Sequence, residues 1–506
     1  MMTKITGKIA KRYLSDYVFR EYHLSPNLTY ETETIDAKKL FTANRFDLPI
    51  KWFYIDCIVK KIDSSIGLDA YIEHIRAFSD NTFIEPGMEN TKNTSQIFVE
   101  SFNQLITDAQ NNNLRTDEFL IPVDKNYTAL DGAHRIAVCA YFNLPITIIK
   151  IPQANQKYDY AFFKSRGLAN KYLDLAARIL STVRDDLYAL ILWPRVNDND
   201  QRKQIASIIS QEFNIFYTKT VNLNYNGLNN LIVQLYEKHD WSGNYMNRYK
   251  GASVKTDNCF SHNSPTTFYL IASNDSQYIL RLKQKIRKLA KVGNRSVHIT
   301  DDFIETIEAS NIFLNDNSIH FLSKANPSRY LNSRKIIARA VNQLRETAIQ
   351  PADYLLVGSA PLAMYGLREI NDADFLARYN QDFVRNQQVI ADSHQDQLQF
   401  YATTVDDLLY NPDNYFYFEN TKFLSLKALA ILKKNRQEKK DSLDLKLIAS
   451  LDSNTSKLKK TIESQYISII NRFNRFKRNS KKVIRTALVK MGLLKPAKKL
   501  LAKFKR

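Results

Sequence analysis

Residues 355–376 of this 506-residue chain read LLVGSAPLAMYGLREINDADFL: an apolar run, a Gly358-Ser359 corner, a short helix signal, and two aspartates separated by one alanine. Side chains on a strand alternate in face, so Asp372 and Asp374 share one side, roughly 7 Å apart, and Ala373 takes the other. Two like charges so placed repel unless cations lie between them, and carboxylate oxygens suit Mg²⁺. Glycine at 358 lets a phosphate approach the backbone, and the Ser359 hydroxyl can bond it. The pattern anticipates Mg²⁺-dependent chemistry on a nucleoside triphosphate, ATP or another, with Asp372 and Asp374 as catalytic groups and metal ligands. The plainer alternative is a hairpin whose turn carries two solvated acids.

The segment resembles the core of the DNA polymerase β-type nucleotidyltransferases, in the minimal bacterial form that reads Gly-Gly/Ser, then Gly-x-Arg, then Asp-x-Asp. The resemblance covers about residues 330–450. It implies a triphosphate held at Gly358 and Ser359, a phosphate or acceptor contact from Arg368, and a third carboxylate from a later strand. Glu419 in NYFYFENTKFLSL is preferred for that role over Asp407. Lys427, Lys433 or Arg436 are further candidates for the triphosphate, and KKDSLDL reads as the solvated cap of the next helix.

Two other stretches carry phosphate chemistry. In FLIPVDKNYTALDGAHRIAVCAYFNLPITIIKI, a helix starting after Gly132 would aim backbone N–H groups and the cations His134 and Arg135 at an anion, unless Asp131 merely caps it. LDGAHRIAVCAYFNLP resembles the Gly-x-His-Arg signature of the ParB/sulfiredoxin superfamily, over about residues 35–152. That resemblance implies a nucleotide-phosphate role for Gly132, His134 and Arg135, with Glu85 as a further carboxylate.

In GNRSVHITDDFIETIEASNIFLNDNSIHFL, His298 stands before a helix that Thr300, Asp301, Asp302 and Glu305 can cap. SIHFL reads as a strand. The preceding order of strands and helices suits a ferredoxin-like layer. With SVHITDDFIET at its end, the segment resembles a divergent nucleoside diphosphate kinase. The resemblance makes His298 the transiently phosphorylated residue and Arg287 a phosphate ligand, although Trp193 replaces the family's lysine and Arg295 its asparagine.

The elements that must position these groups are α/β and α+β in class, in several domains. Residues 1–155 are expected to form a ParB/sulfiredoxin-like domain and 156–330 a ferredoxin-like, nucleoside diphosphate kinase-like one. A nucleotidyltransferase fold follows over 331–455, then a basic tail over 456–506. NQKYDYAFFKSRGLANKYLDLAARIL reads as a helical connector and HDWSGNYMNRYKGASVKTDNCFSHNSPTT as a long loop.

Three well-separated cysteines with no Cys-x-x-Cys spacing suggest neither a disulfide framework nor a zinc knuckle. The net charge of +20 is concentrated at one end, since 457–506 hold 17 Lys/Arg against the single acid Glu463. The tail's apolar side (Val483, Ile484, Leu488, Met491) and basic side suit an anionic membrane surface, with nucleic acid as the competing partner.

The reading is a cytoplasmic, membrane-peripheral nucleotidyl- or phosphoryl-transferase acting on a surface polysaccharide or its lipid-linked or activated sugar precursor. Its rivals are a nucleotide-switched, ParB-like nucleic-acid regulator and a toxin or defence nucleotidyltransferase.

Overall fold

A computed structural model describes residues 2–85, 92–347, 349–378 and 391–451, so the expected basic tail and its membrane contact lie outside the described residues. The chain is mixed α/β and multidomain, with three separate small sheets. The described residues up to Leu445 make one compact unit. Among the described residues no helix is long and apolar enough to cross a membrane.

The first sheet contains β1 (Met2–Thr6), β2 (Thr29–Asp36), β3 (Ile121–Val123) and β4 (Pro145–Lys150) in the order β1-β2-β4-β3. Only β3 and β4 run parallel, and helix Ala133–Tyr141 makes the crossover that a parallel pair requires. Helices Leu48–Val59, Ile66–Phe78 and Ser95–Gln110 bury Tyr54, Tyr71 and Phe102 against Ala137 and Val138 of that crossover helix.

The second sheet is wholly antiparallel. Its strands β5 (Leu187–Leu192), β6 (Asn214–Val221), β7 (Thr266–Ala272) and β8 (Val297–Ile299) lie in the order β6-β7-β5-β8. Ile279, Leu282 and Ile286 recur at helical spacing along Ser276–Ala290. With Ile205 and Ile209 of Asn199–Glu212 they cover Leu190, Leu192 and Ile271. Burying each such aliphatic contributes about 1.5–3 kcal/mol. Phe313 stacks on Phe268 at 5.0 Å, bringing helix Phe303–Phe313 against the sheet.

The third sheet orders β9 (Tyr354–Leu356), β10 (Ala373–Ala377), β11 (Ala391–Ser393), β12 (Tyr415–Phe418) and β13 (Thr421–Leu424) as β11-β10-β9-β13-β12. β9 is antiparallel to β10 and parallel to β13.

Two expectations fail here. SIHFL is not a strand but part of helix Asp316–Lys324, because the Asn315 side chain accepts from Ser318 N at 2.8 Å and starts a helix. That helix packs on the third sheet: Phe321 stacks on Phe416 at 4.5 Å, and the Asn317 amide donates to the carbonyls of Pro412 and Asp413. The supposed long loop contains helix Lys250–Cys259, whose Ala252, Thr256 and Cys259 are buried along one face.

Candidate active site

β9 runs into the Gly358-Ser359 corner, and β10 returns beside it, Val357 N donating to Asp374 O at 2.8 Å. Gly358 has φ +59°, a region that only glycine enters without strain. A Cβ there would overlap Asp374 Oδ2 and lie 2.9 Å from Asp374 Cγ, so the carboxylate rests directly against the corner. Among the described residues neither the Gly358 nor the Ser359 N–H donates a hydrogen bond, leaving two adjacent backbone donors open to an anion. Asp374 is half-buried, Asp372 is exposed, and Ala373 between them is buried, as alternation along a strand requires.

Arg368 fixes the corner's hydroxyl. Its Nη2 donates to Ser359 Oγ at 2.6 Å and its Nε to Asp444 Oδ1 at 2.6 Å. Lys433, 1% exposed, continues the chain of charges to Asp444 at 2.7 Å and Asp441 at 3.2 Å, and Arg436 holds Asp441 at 2.8 Å. KKDSLDL is thus no solvated cap. Asp441 and Asp444 are buried, and despite desolvation their cationic partners draw both pKa values down, Asp441 to about 2. Lys433 and Arg436 are spent on these acids, and Arg368 on Ser359 and Asp444. Lys427 is exposed on helix Leu426–Arg436.

Glu419 lies elsewhere. Phe423 pairs with Leu356 in the parallel register of β13 and β9, so the β12–β13 turn is at the opposite end of the sheet from Gly358. There Glu419 pairs with Arg334 and accepts from Tyr249 at 2.5 Å. Asp407 is also engaged away from the corner, by Ser64, Thr403 and Asn414. In the backbone register of β10 and β11, position 392 pairs with Asp374. His394 follows β11, bonded to Tyr401 at 2.8 Å; burial, then the charges of Arg436 and Lys433, push His394 down to about 4. Among the described residues no group of three or more His, Cys, Asp or Glu is placed to hold a metal ion. At the corner itself, Asp372 and Asp374 are the carboxylates that could hold a metal ion, and substrate oxygens and water would have to complete its shell.

At the N-terminal turn, Gly132 has φ +80° and caps helix Ala133–Tyr141. His134 and Arg135 do not converge on the space before it. The His134 Nε2 meets Tyr71 Oη at 2.9 Å and its ring packs on Phe102 at 4.6 Å, while Arg135 lies over Phe119. Burial, then the nearby Lys51 and Lys92, drives the His134 pKa well down, so it stands neutral. Glu85 pairs with Lys92 at 2.6 Å. Below lies a wholly buried ionic chain that the sequence did not reveal: Arg45 to Asp47 at 2.7 Å, Asp47 to Lys51 at 2.9 Å, and Lys51 to His74 Nε2 at 2.7 Å.

In the middle segment His298 is 5% exposed. Its Nε2 lies 3.0 Å from Glu305 and its Nδ1 3.0 Å from Tyr236 Oη. Glu305 also accepts from Asp301 N, joining helix cap and histidine. Around Tyr236 gather Lys255, 4.8 Å above its ring, and Arg287. Neither makes an ion pair among the described residues, and the buried Arg287 Nε and Trp193 Nε1 have no hydrogen-bond partner. The unpaired cations around Tyr236 can attract an anion to that neighbourhood.

Compared with protein-family models, curated proteins and solved structures, the chain matches none of them.

Proposed function

We propose that this chain is a Mg²⁺-dependent nucleotidyl- or phosphoryl-transferase working at the Gly358-Ser359 corner. The observation that carries this reading is the Asp374 carboxylate seated against a left-handed glycine, beside two backbone N–H groups that make no hydrogen bond among the described residues. Those N–H groups and the Ser359 hydroxyl would bind the polyphosphate. Arg368, accepted by the Ser359 oxygen, leaves the serine proton free to donate outward. Asp372 and Asp374 would hold the metal, which when bound neutralises developing phosphoryl charge and helps align an attacking hydroxyl.

The polymerase β-type resemblance and the antiparallel β9–β10 hairpin support this assignment together. For the middle segment, the sheet order β6-β7-β5-β8 favours the ferredoxin-like, nucleoside diphosphate kinase-like reading. The unpaired cations beside His298 support a second phosphate site there. A hydroxyl-bearing surface-polysaccharide precursor as acceptor, and peripheral attachment at the cytoplasmic membrane face, remain part of the proposal on sequence grounds alone.

The test is label transfer from α-³²P- and γ-³²P-labelled nucleoside triphosphates with and without Mg²⁺. Transfer that needs Mg²⁺ and falls at least 100-fold in Asp374→Asn is expected. Unchanged transfer in that variant would remove the site.

A further inference from the structure

Between the first and second sheets lies a cavity of about 540 Å³, within the range of small-molecule sites, and none of the residues assigned above lines it. Its charged groups are nearly all paired. Glu33 accepts from Tyr127 at 3.0 Å and lies 3.3 Å from Lys150. Arg184 binds Asp186 and donates to the Phe41 carbonyl at 2.8 Å. Lys39, exposed at the edge, makes no ion pair among the described residues.

What is left open in the lining is neutral and hydrogen-bonding. Asn126, Asn214 and Asn274 are exposed, and their carboxamides bond to nothing else among the described residues. Thr42 also lines the cavity, its hydroxyl shut away from the surface and without a hydrogen-bond partner among the described residues. Tyr127 is held at φ +60°, left-handed for a side chain that has no ease there, which presents the Asn126-Tyr127 turn to the cavity.

A carboxamide donates and accepts side by side, and so do neighbouring hydroxyls on a ring. A polyanion would need more than one unpaired cation, and an apolar ligand would leave three carboxamides unmatched. We propose that this cavity binds a polyhydroxylated ligand with a single anionic group, the chemistry of a phosphorylated or carboxylated sugar, with Lys39 receiving the charge. The site is separate from the Gly358 corner, so this proposal and the transferase reading fail independently.

Calorimetry and saturation-transfer NMR on the full chain would use glucose 1-phosphate, glucuronate, glucose and inorganic phosphate as probes. At least one charged sugar should bind saturably, about tenfold tighter than glucose or inorganic phosphate. Which of the two wins identifies the anionic group. Asn126→Ala and Asn214→Ala should each weaken that binding about five- to tenfold at an unchanged melting temperature. Lys39→Met should bring the charged sugar down to the affinity of glucose. The proposal is overturned if neither charged sugar binds saturably, if inorganic phosphate binds as tightly, or if the Asn126→Ala/Asn214→Ala double variant binds as the parent does.

Discussion

Replacing Gly358 by alanine tests the corner most directly. Two penalties follow from the structure. The backbone at φ +59° disfavours any side chain by about 1–2 kcal/mol. The new Cβ would also stand 2.9 Å from Asp374 Cγ, where carbon atoms prefer about 3.5–4.0 Å, so the carboxylate must retreat by about 1 Å. A displacement of about that size in a positioned group lowers turnover on the order of 100-fold. Gly366→Ala supplies the control. Gly366 has φ +72° and its Cβ would press on the Asn326 carbonyl at 2.8 Å, not on an acid. Both variants should lose comparable stability in urea titrations, while only Gly358→Ala should lose Mg²⁺-dependent label transfer per folded molecule. If Gly358→Ala stays within about threefold of the parent, or if Gly366→Ala falls as far, the closeness of Asp374 to the corner is not what the chemistry uses.

Lys433→Ala strands two buried acids and should destabilise the fold by about 3 kcal/mol, the low end for a broken buried pair, because Arg368 and Arg436 remain; a urea-titration change under about 1 kcal/mol would contradict the network. Asp441 and Asp444 have lowered pKa values, Asp441 at about 2, so their stabilisation should be complete above about pH 4 and drain away as pH falls through their depressed folded-state values, which acid titration of the fold would follow. Lys422 is buried between the carbonyls of Ala352 and Leu409 and pushed down to about 7, chiefly by desolvation. Since the unfolded lysine keeps its proton to higher pH, stability should rise from pH 7 toward 10, and Lys422→Met should flatten that rise in melting curves. Glu419→Gln should lower the melting temperature through Arg334 yet leave label transfer per folded molecule within about twofold; a loss of transfer with unchanged stability would return Glu419 to the active site.

The strand-corner-strand of residues 354–377 was legible because its signals are local: an apolar run, a glycine and an alternation of two. Asp444 was not, since it reaches Arg368 from 76 residues downstream and its segment, rich in Lys and Asp, looks like solvated helix. Glu419 was misassigned because position along a strand says nothing of which end of the sheet it occupies; that depends on the pairing of β13 with β9. His134 shows a third limit. Its place after Gly132 was readable, but its direction is decided by Tyr71 and Phe102, on helices brought to it only by packing. SIHFL, apolar and short, carries strand and helix signals alike, and the Asn315 cap decides between them.

Helix Asp316–Lys324 precedes the natural cutting point near residue 330, yet Phe321 and Asn317 are committed to the sheet that comes after it. Its other neighbour, Asn230 of helix Tyr225–Leu235, donates to its Leu322 carbonyl. A recombination event joining a foreign sequence at that point would leave one half without its covering helix and the other with an exposed aromatic face. The second and third sheets therefore have to be passed on together, and swapping modules between lineages is more easily tolerated at a seam lying elsewhere.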